Sequence, residues 1–324
     1  MTAHEITTTA DTAIDVFSRD RRPVLTVAPG DSVTAHTLDA SGYLEKPMGL
    51  RADTPRLIAA PRGHCLLGPI EVTGARPGQL LAIRVRSCTP GPWGWTVAGA
   101  RDIELTRALG VADGEAHLTV WDIDAAAGTA TSDRGHRVRT APFLGVTGLA
   151  PADPGEHSTV PPRPGVGGNI DCRLLGAGAT LLLPIAVPGA LLYLGDGHAR
   201  QGDGEVSGTA IETAMTTELT LDLLEPDAVD AVHATTSAGR VTFGFDADLN
   251  AAATTALSWM VTWMQSLLGL ERKAALALAS AVVDLRVTQV ANDTWGVHAV
   301  LADDAVTAAD GTALLSAAVA PTQP

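Results

Sequence analysis

Residues 167–212 read GGNIDCRLLGAGATLLLPIAVPGALLYLGDGHARQGDGEVSGTAIE. Two apolar runs, Thr180–Val187 and Ala190–Leu194, flank the turn dipeptide Pro188-Gly189, which predicts a buried β-hairpin. The second run passes directly into Gly195-Asp196-Gly197-His198. Polar side chains here are spaced in twos: Asn169 with Asp171, Asp196 with His198, and Asp203 with Glu205. On extended backbone each pair shares one face, so three strand ends could bring their acids together. Gly195, Gly197, Gly202 and Gly204 flank the acids, as expected where the backbone turns tightly or adopts positive φ beside a ligand.

Working upstream, Pro23–Ala28, Ser32–Leu38, Pro69–Thr73 and Leu80–Ser87 are short β-branched or alternating runs between Gly/Pro punctuation, which predicts the strands of an antiparallel meander. Residues 150–168 are rich in Pro, Gly and charge and read as a long loop, either a linker or a crossing loop that delivers the next segment into a site. Downstream, Leu249–Leu270 carries no charge but is interrupted by Asn250, Thr254, Ser258, Thr262 and Gln265. That pattern favours a buried or subunit-interface helix, capped by Gly269, over a membrane span. A second helix is expected from Glu271 to about Ala281. The organisation read from this is a tail over 1–22, a β-rich part over 23–155, a metal-site and helical part of the same unit over 156–302, and a poorly ordered tail over 303–324.

Composition narrows the function. With 36 acidic against 22 basic side chains the formal charge is −14, and no basic cluster offers a face for a phosphate backbone, which argues against nucleic acid. A hydrophobic content of 46% excludes disorder, and 33 glycines with 20 prolines, lacking collagen periodicity, fit a turn-rich, mainly β fold. Three cysteines and a polar amino terminus without an apolar core segment point to a reducing, cytoplasmic setting.

Carboxylates with an imidazole suit zinc, manganese or a similar divalent ion, with calcium an option for oxygen-rich sets. Asx-turns in glycine-rich loops would produce the same local pattern, and His198 alone reads equally as a core histidine. The only lysines, Lys46 and Lys273, lie far from the dense motifs, which disfavours lysine-dependent amidase triads. No G-x-S-x-G elbow, Walker loop or dinucleotide fingerprint is present. Trp93 and Trp95 could wall a pocket or simply pack, and His36 and Asp39, three apart, face opposite ways on a strand.

The run GGNIDCRLL…GATLLLPIAVPGALLYLGDGHARQGDGEVSGTAIET resembles the signature of the acetamidase/formamidase family, as do Gly68-Pro69-Ile70 before Ala75–Gly78, Trp93-Gly94-Trp95, Pro142–Gly145 and Ser158–Arg163. The resemblance implies a metal-dependent hydrolase of small amides on a jelly-roll-like β-sandwich with added α/β elements and C-terminal helices. It places metal ligands on Asp39, Asp171, Asp196 and His198, and catalytic carboxylates on Glu205 and Glu212. Substrate contacts fall on His64, Asn169 and Trp95. Zinc is the expected ion, with calcium as a possible second, the partner a small amide and the assembly a homo-oligomer. The sequence departs from the family pattern at Cys65, Leu67, Gln79 and Cys172, which would matter for specificity if Leu67 or Cys172 lined the pocket.

Overall fold

The computed structural model describes residues 1–50, 53–99, 101–308, 310–312 and 314–315. Its largest sheet has nine strands, in the spatial order Ala3–Thr7, Ser32–Thr37, Met215–Leu224, Leu80–Pro90, Thr180–Pro184, His233–Thr236, Gly239–Asp246, Trp295–Leu301 and Val283–Gln289. The first pair is parallel and the rest antiparallel. A second sheet of Gly167–Asn169, Phe143–Leu149, Leu192–His198, Leu66–Val72 and Ala13–Ile14, with Leu25–Val27 also on Leu66–Val72, lies against it. Leu81, Ile83, Leu181, Leu183 and Leu219 from one sheet and Leu67, Ile70, Leu144, Leu192 and Leu194 from the other fill the shared core. Four further strands, Trp93–Ala98, His117–Asp124, Thr129–Ser132 and Arg137–Arg139, form a satellite sheet. The expectation of a mainly β sandwich with C-terminal helices holds.

Among the described residues three helices accompany the sheets: α1 (Glu104–Ala108), α2 (Leu249–Leu268) and α3 (Arg272–Val282). The charge-free segment starts at Asp248, whose carboxylate accepts the Asn250 amide (2.7 Å), and stops at left-handed Gly269. Its apolar side, Met260, Val261 and Met264, packs with Val297, Ala299 and Leu301 of the large sheet, so the sheet takes up the face that had suggested a subunit contact. Gly244 permits the approach, since a Cβ there would sit 2.0 Å from the Ala252 carbonyl oxygen. Among the described residues no helix is long and apolar enough to cross a membrane.

Four expectations need correction. The upstream runs do not form an antiparallel meander: Leu25–Val27 pairs in parallel with Leu66–Val72 in the second sheet, and Met215–Leu224 separates Ser32–Thr37 from Leu80–Pro90 in the large one. Residues 1–22 are not all tail: Ala3–Thr7 is an edge strand, Ala13–Ile14 pairs with Leu66 and Leu67, and Phe17 is fully buried with its ring edge-on to Tyr193 at 5.3 Å. Only four core side chains anchor this stretch (Ile6, Ile14, Val16 and Phe17), and their partners are distant in sequence, so local polarity hid them. Arg19–Arg22 is exposed as expected.

The two runs around Pro188-Gly189 are not a hairpin. Thr180–Pro184 belongs to the large sheet and Leu192–His198 to the second. Positive φ at Gly189 (80°), Ala190 (60°) and Leu191 (57°) carries the chain between layers, and Gly189 is tied by hydrogen bonds to Val72 and Ala75. A turn signal marks the reversal but not the sheet that receives the second run. Of the expected C-terminal tail, Leu315 is buried and its carbonyl accepts an Arg240 N–H (2.5 Å); residues 309, 313 and 316–324 lie outside the described residues.

Candidate active site

Strand Leu192–His198 carries Asp196 and His198 to one end of the second sheet. Asp196 has φ 58°, and Gly145 of the neighbouring strand stands opposite it, between the register pairs Leu144↔Gly197 and Val146↔Gly195. The Gly145 carbonyl accepts the amides of Ile170 and Asp171 (3.0 and 3.2 Å), which brings in the segment delivered by the 150–168 loop. A Cβ on Gly145 would lie 2.5 Å from Asp196 Oδ2, 2.6 Å from Asp171 Oδ1 and 2.7 Å from His198 Cε1. The missing side chain is therefore the space in which these groups meet. Asp171 (φ 53°) and Glu205 (φ 43°) share the left-handed backbone of Asp196, so positive φ falls on the acids, whereas Gly195 and Gly197 serve close strand packing.

Two overlapping sets, Asp171/Asp196/His198 and His198/Glu205/Glu212, each hold their ligand-type atoms within 4.8 Å of one another. His198 Nε2 is 3.4 Å from Asp196 Oδ1, 3.3 Å from Glu212 Oε2 and 4.0 Å from Glu205 Oε1. The imidazole is held by its other nitrogen, Nδ1, 2.9 Å from Gln201 Oε1, while Gln201 Nε2 donates to the Asp171 carbonyl (2.6 Å) and Phe143 packs edge-on. A glutamine oxygen accepts only, which fixes a proton on Nδ1 and turns Nε2 toward the carboxylates. Among the described residues, both Asp171 oxygens, Glu212 Oε2, His198 Nε2 and Asp39 Oδ2 are buried without a hydrogen-bond partner. Buried polar atoms are normally paired, and a cluster of unpaired acceptors is a set of atoms that could hold a cation.

The electrostatics of the bare cluster say the same. Burial, reinforced by Glu205 and Asp196, pushes the Asp171 carboxyl well above the carboxylate range. Burial, opposed by His198, carries Glu205 to about 7 and Glu212 to about 8. Burial alone would also raise Asp196 and lower His198; each is overridden by the other, with Glu212 adding to the pull on His198, so Asp196 stays ionised and His198 holds a second proton. A proton between carboxylates then does the work a metal would do.

Seven of the expected site residues line one pocket of about 300 Å³: His64, Trp95, Asn169, Asp171, Asp196, Glu205 and Glu212. His198 lies fully buried behind them. Asp39 belongs to neither set; its Oδ1 accepts the Ser41 amide (2.8 Å), and burial raises it to about 6. Asp203 leaves the site altogether and pairs with Arg173 (2.7 Å), so the third expected pair splits. His36 bonds Glu5 and Thr216 on the outer strands. Leu67 and Cys172 are core residues of the sandwich, and Cys65 and Gln79 also lie off the pocket, so none of the four departures touches it. Sequence reasoning missed Gly145 and Gln201, which only the register and the fold bring to the acids.

We expect Gly145→Ala, whose backbone is ordinary, to leave the sandwich folded but displace Asp171, Asp196 and His198. Activity should fall on the order of 10²-fold or more. Wild-type turnover in a folded variant would contradict the assigned geometry.

Fold and site together are those of a β-sandwich protein with a buried acid–imidazole centre at the floor of a pocket. The chain belongs to the acetamidase/formamidase family, whose model matches residues 3–155 and 153–299. It is 27% identical over 220 residues to an acetamidase of Mycolicibacterium smegmatis, covering 50% of this chain and 54% of that protein. The chain's matches span about half the length of its curated relatives. Crystal structures of an acetamidase from Bacillus halodurans (26% identity, TM-score 0.80, 92% of this chain and 97% of the other) and of one from Yersinia enterocolitica (25%, 0.83, 94% and 93%) are similar throughout.

Proposed function

We propose that the protein is a cation-dependent hydrolase of small linear amides, consuming water and releasing ammonia and a carboxylate. The observation that carries this is the set of buried, unpartnered ligand atoms gathered over Gly145 at the floor of the pocket, in a chain of this family. Asp171, Asp196 and His198 would hold the ion, and one imidazole with carboxylates suits zinc. Such an ion supplies Lewis-acid polarisation of an amide carbonyl and acidifies water. Gln201 keeps the proton on His198 Nδ1 so that Nε2 presents its lone pair. Nε2 can serve one ion only, which leaves Glu205 and Glu212 for proton work.

An amide does not expel unprotonated amine, so a carboxyl must first accept a proton from water and then deliver it to the departing nitrogen. The Ala210 amide fixes Glu212 Oε1 (2.8 Å), making Oε2 the atom that holds and passes the proton; Glu205, on the same wall, is the second carrier. His64 stays neutral by burial. The Thr159 hydroxyl accepts its backbone N–H (2.8 Å) and sits 3.0 Å from Nδ1, which leaves Nε2–H to orient a substrate oxygen. Asn169 donates to the Val160 carbonyl (2.8 Å) and keeps its oxygen for an amide N–H. The test is ammonia release from formamide, acetamide and longer amides by protein of measured metal content, with and without chelator. Release that chelation abolishes and added cation restores is expected; no ammonia from any amide at full occupancy would refute the reading.

A further inference from the structure

The pocket is too large for the smallest amides. At about 300 Å³ it has room for roughly ten waters, of which formamide or acetamide displaces only a few. Its floor is acidic, with Asp171, Asp196, Glu205 and Glu212 all in the wall. Two arginines also line it, and their situations differ. Arg62 is spoken for, with Nη2 2.9 Å from Asp15 Oδ1 and Nη1 2.5 Å from Glu156 Oε2. Arg101 is solvent-exposed and so stands on the open side of the pocket, and among the described residues it has no carboxylate partner. One hydrogen bond holds it, from Nη1 to the Ala291 carbonyl (3.0 Å).

That anchor is rigid: Ala291 is buried, and its amide donates to Oε1 of the fully buried Gln289 (2.8 Å). The guanidinium is thus pinned at one nitrogen, with Nη2 and Nε left for a ligand. Its charge reaches the site, disfavouring the protonated forms of both His64 and Glu205.

Resting on the amidase reading above, we propose that the preferred substrates are linear amides bearing a carboxylate at the far end of the chain, with Arg101 as the residue that binds it. A guanidinium with two free nitrogens matches a carboxylate in a paired, charge-assisted geometry that lysine does not reproduce. Arg101 stands on the open side, so a carboxylate bound there leaves the amide end of the substrate directed at the floor. The cationic side chain at the rim therefore sets both selection and orientation.

The experiment compares kcat/KM for succinamate and glutaramate with that for butyramide and valeramide, using metal-loaded wild-type protein, Arg101→Gln and Arg101→Lys. At least one carboxylated amide should exceed its neutral counterpart by about tenfold or more, and Arg101→Gln should reduce that ratio about ten- to hundredfold, mainly through KM, with Arg101→Lys in between. Turnover of the neutral amides with no preference for the carboxylated ones, or a preference that survives Arg101→Gln, overturns this inference alone. If neither set is hydrolysed, the amidase reading falls and this inference with it.

Discussion

Asp196→Asn should bind no stoichiometric cation and lose activity on the order of 10³-fold or more, while melting as a folded protein. Asparagine is chosen because Asp196 sits at φ 58°, a conformation asparagine tolerates and alanine does not. The change therefore removes charge without adding backbone strain. Asp196 is the acid that remains ionised in the bare cluster, stabilised by His198 against the cost of burial, so it provides the fixed negative charge to which a cation is drawn. Loss of that charge also relieves the repulsion that raises Asp171 and Glu212, which is why the cation-free fold should survive. Metal analysis, circular dichroism and ammonia release on one preparation check all three parts. Retained turnover would remove Asp196 from the ligand set.

The second large effect concerns the protein stripped of cation, whose stability should fall as pH rises from about 4 to 8. Asp39, Glu205 and Glu212 have folded-state values near 6, 7 and 8, against ordinary values of 3.8 and 4.5. Across that window the folded chain holds protons that the unfolded chain has released, so each step up in pH favours unfolding. Asp196, already ionised in both states there, contributes no slope. The loss is on the order of 5 kcal/mol once the repulsion shared among these acids is counted only once. A bound cation takes the place of the protons, so the loaded protein should be more stable at pH 8 and show a much flatter profile. Melting temperatures at pH 5 and pH 8, with and without cation, provide the check; parallel profiles for the two forms would mean that no cation occupies the acid cluster.

Much of the fold was legible because its signals are local. Asp248 and Gly269 bracket α2 as caps, and the four upstream runs are strands, because periodicity and capping depend on a few neighbouring residues. What stayed hidden depends on partners distant in sequence. Pro188-Gly189 reverses the chain in either a hairpin or a layer crossing, and the choice is made by Val72 and Ala75, more than a hundred residues earlier. Ala3–Thr7 looks like tail because its pairing energy comes from Ser32–Thr37.

The site divides in the same way. Asp196 and His198 share a strand, so spacing alone placed them on one face. The same spacing rule failed for Asp203 and Glu205, because residues 203–205 lie in a turn, not a strand, with positive φ at Gly204 and Glu205, and Asp203 turns to Arg173. Gly145 carries no chemistry of its own, and its role emerges only from standing opposite Asp196.

If a cation held over Gly145 makes amide hydrolysis possible, zinc titrated into metal-stripped protein should restore ammonia release in step with bound metal, the two being recorded together. Ammonia release should rise in proportion to the bound ion and level off at one per chain. Undiminished release from protein carrying no metal would contradict the account.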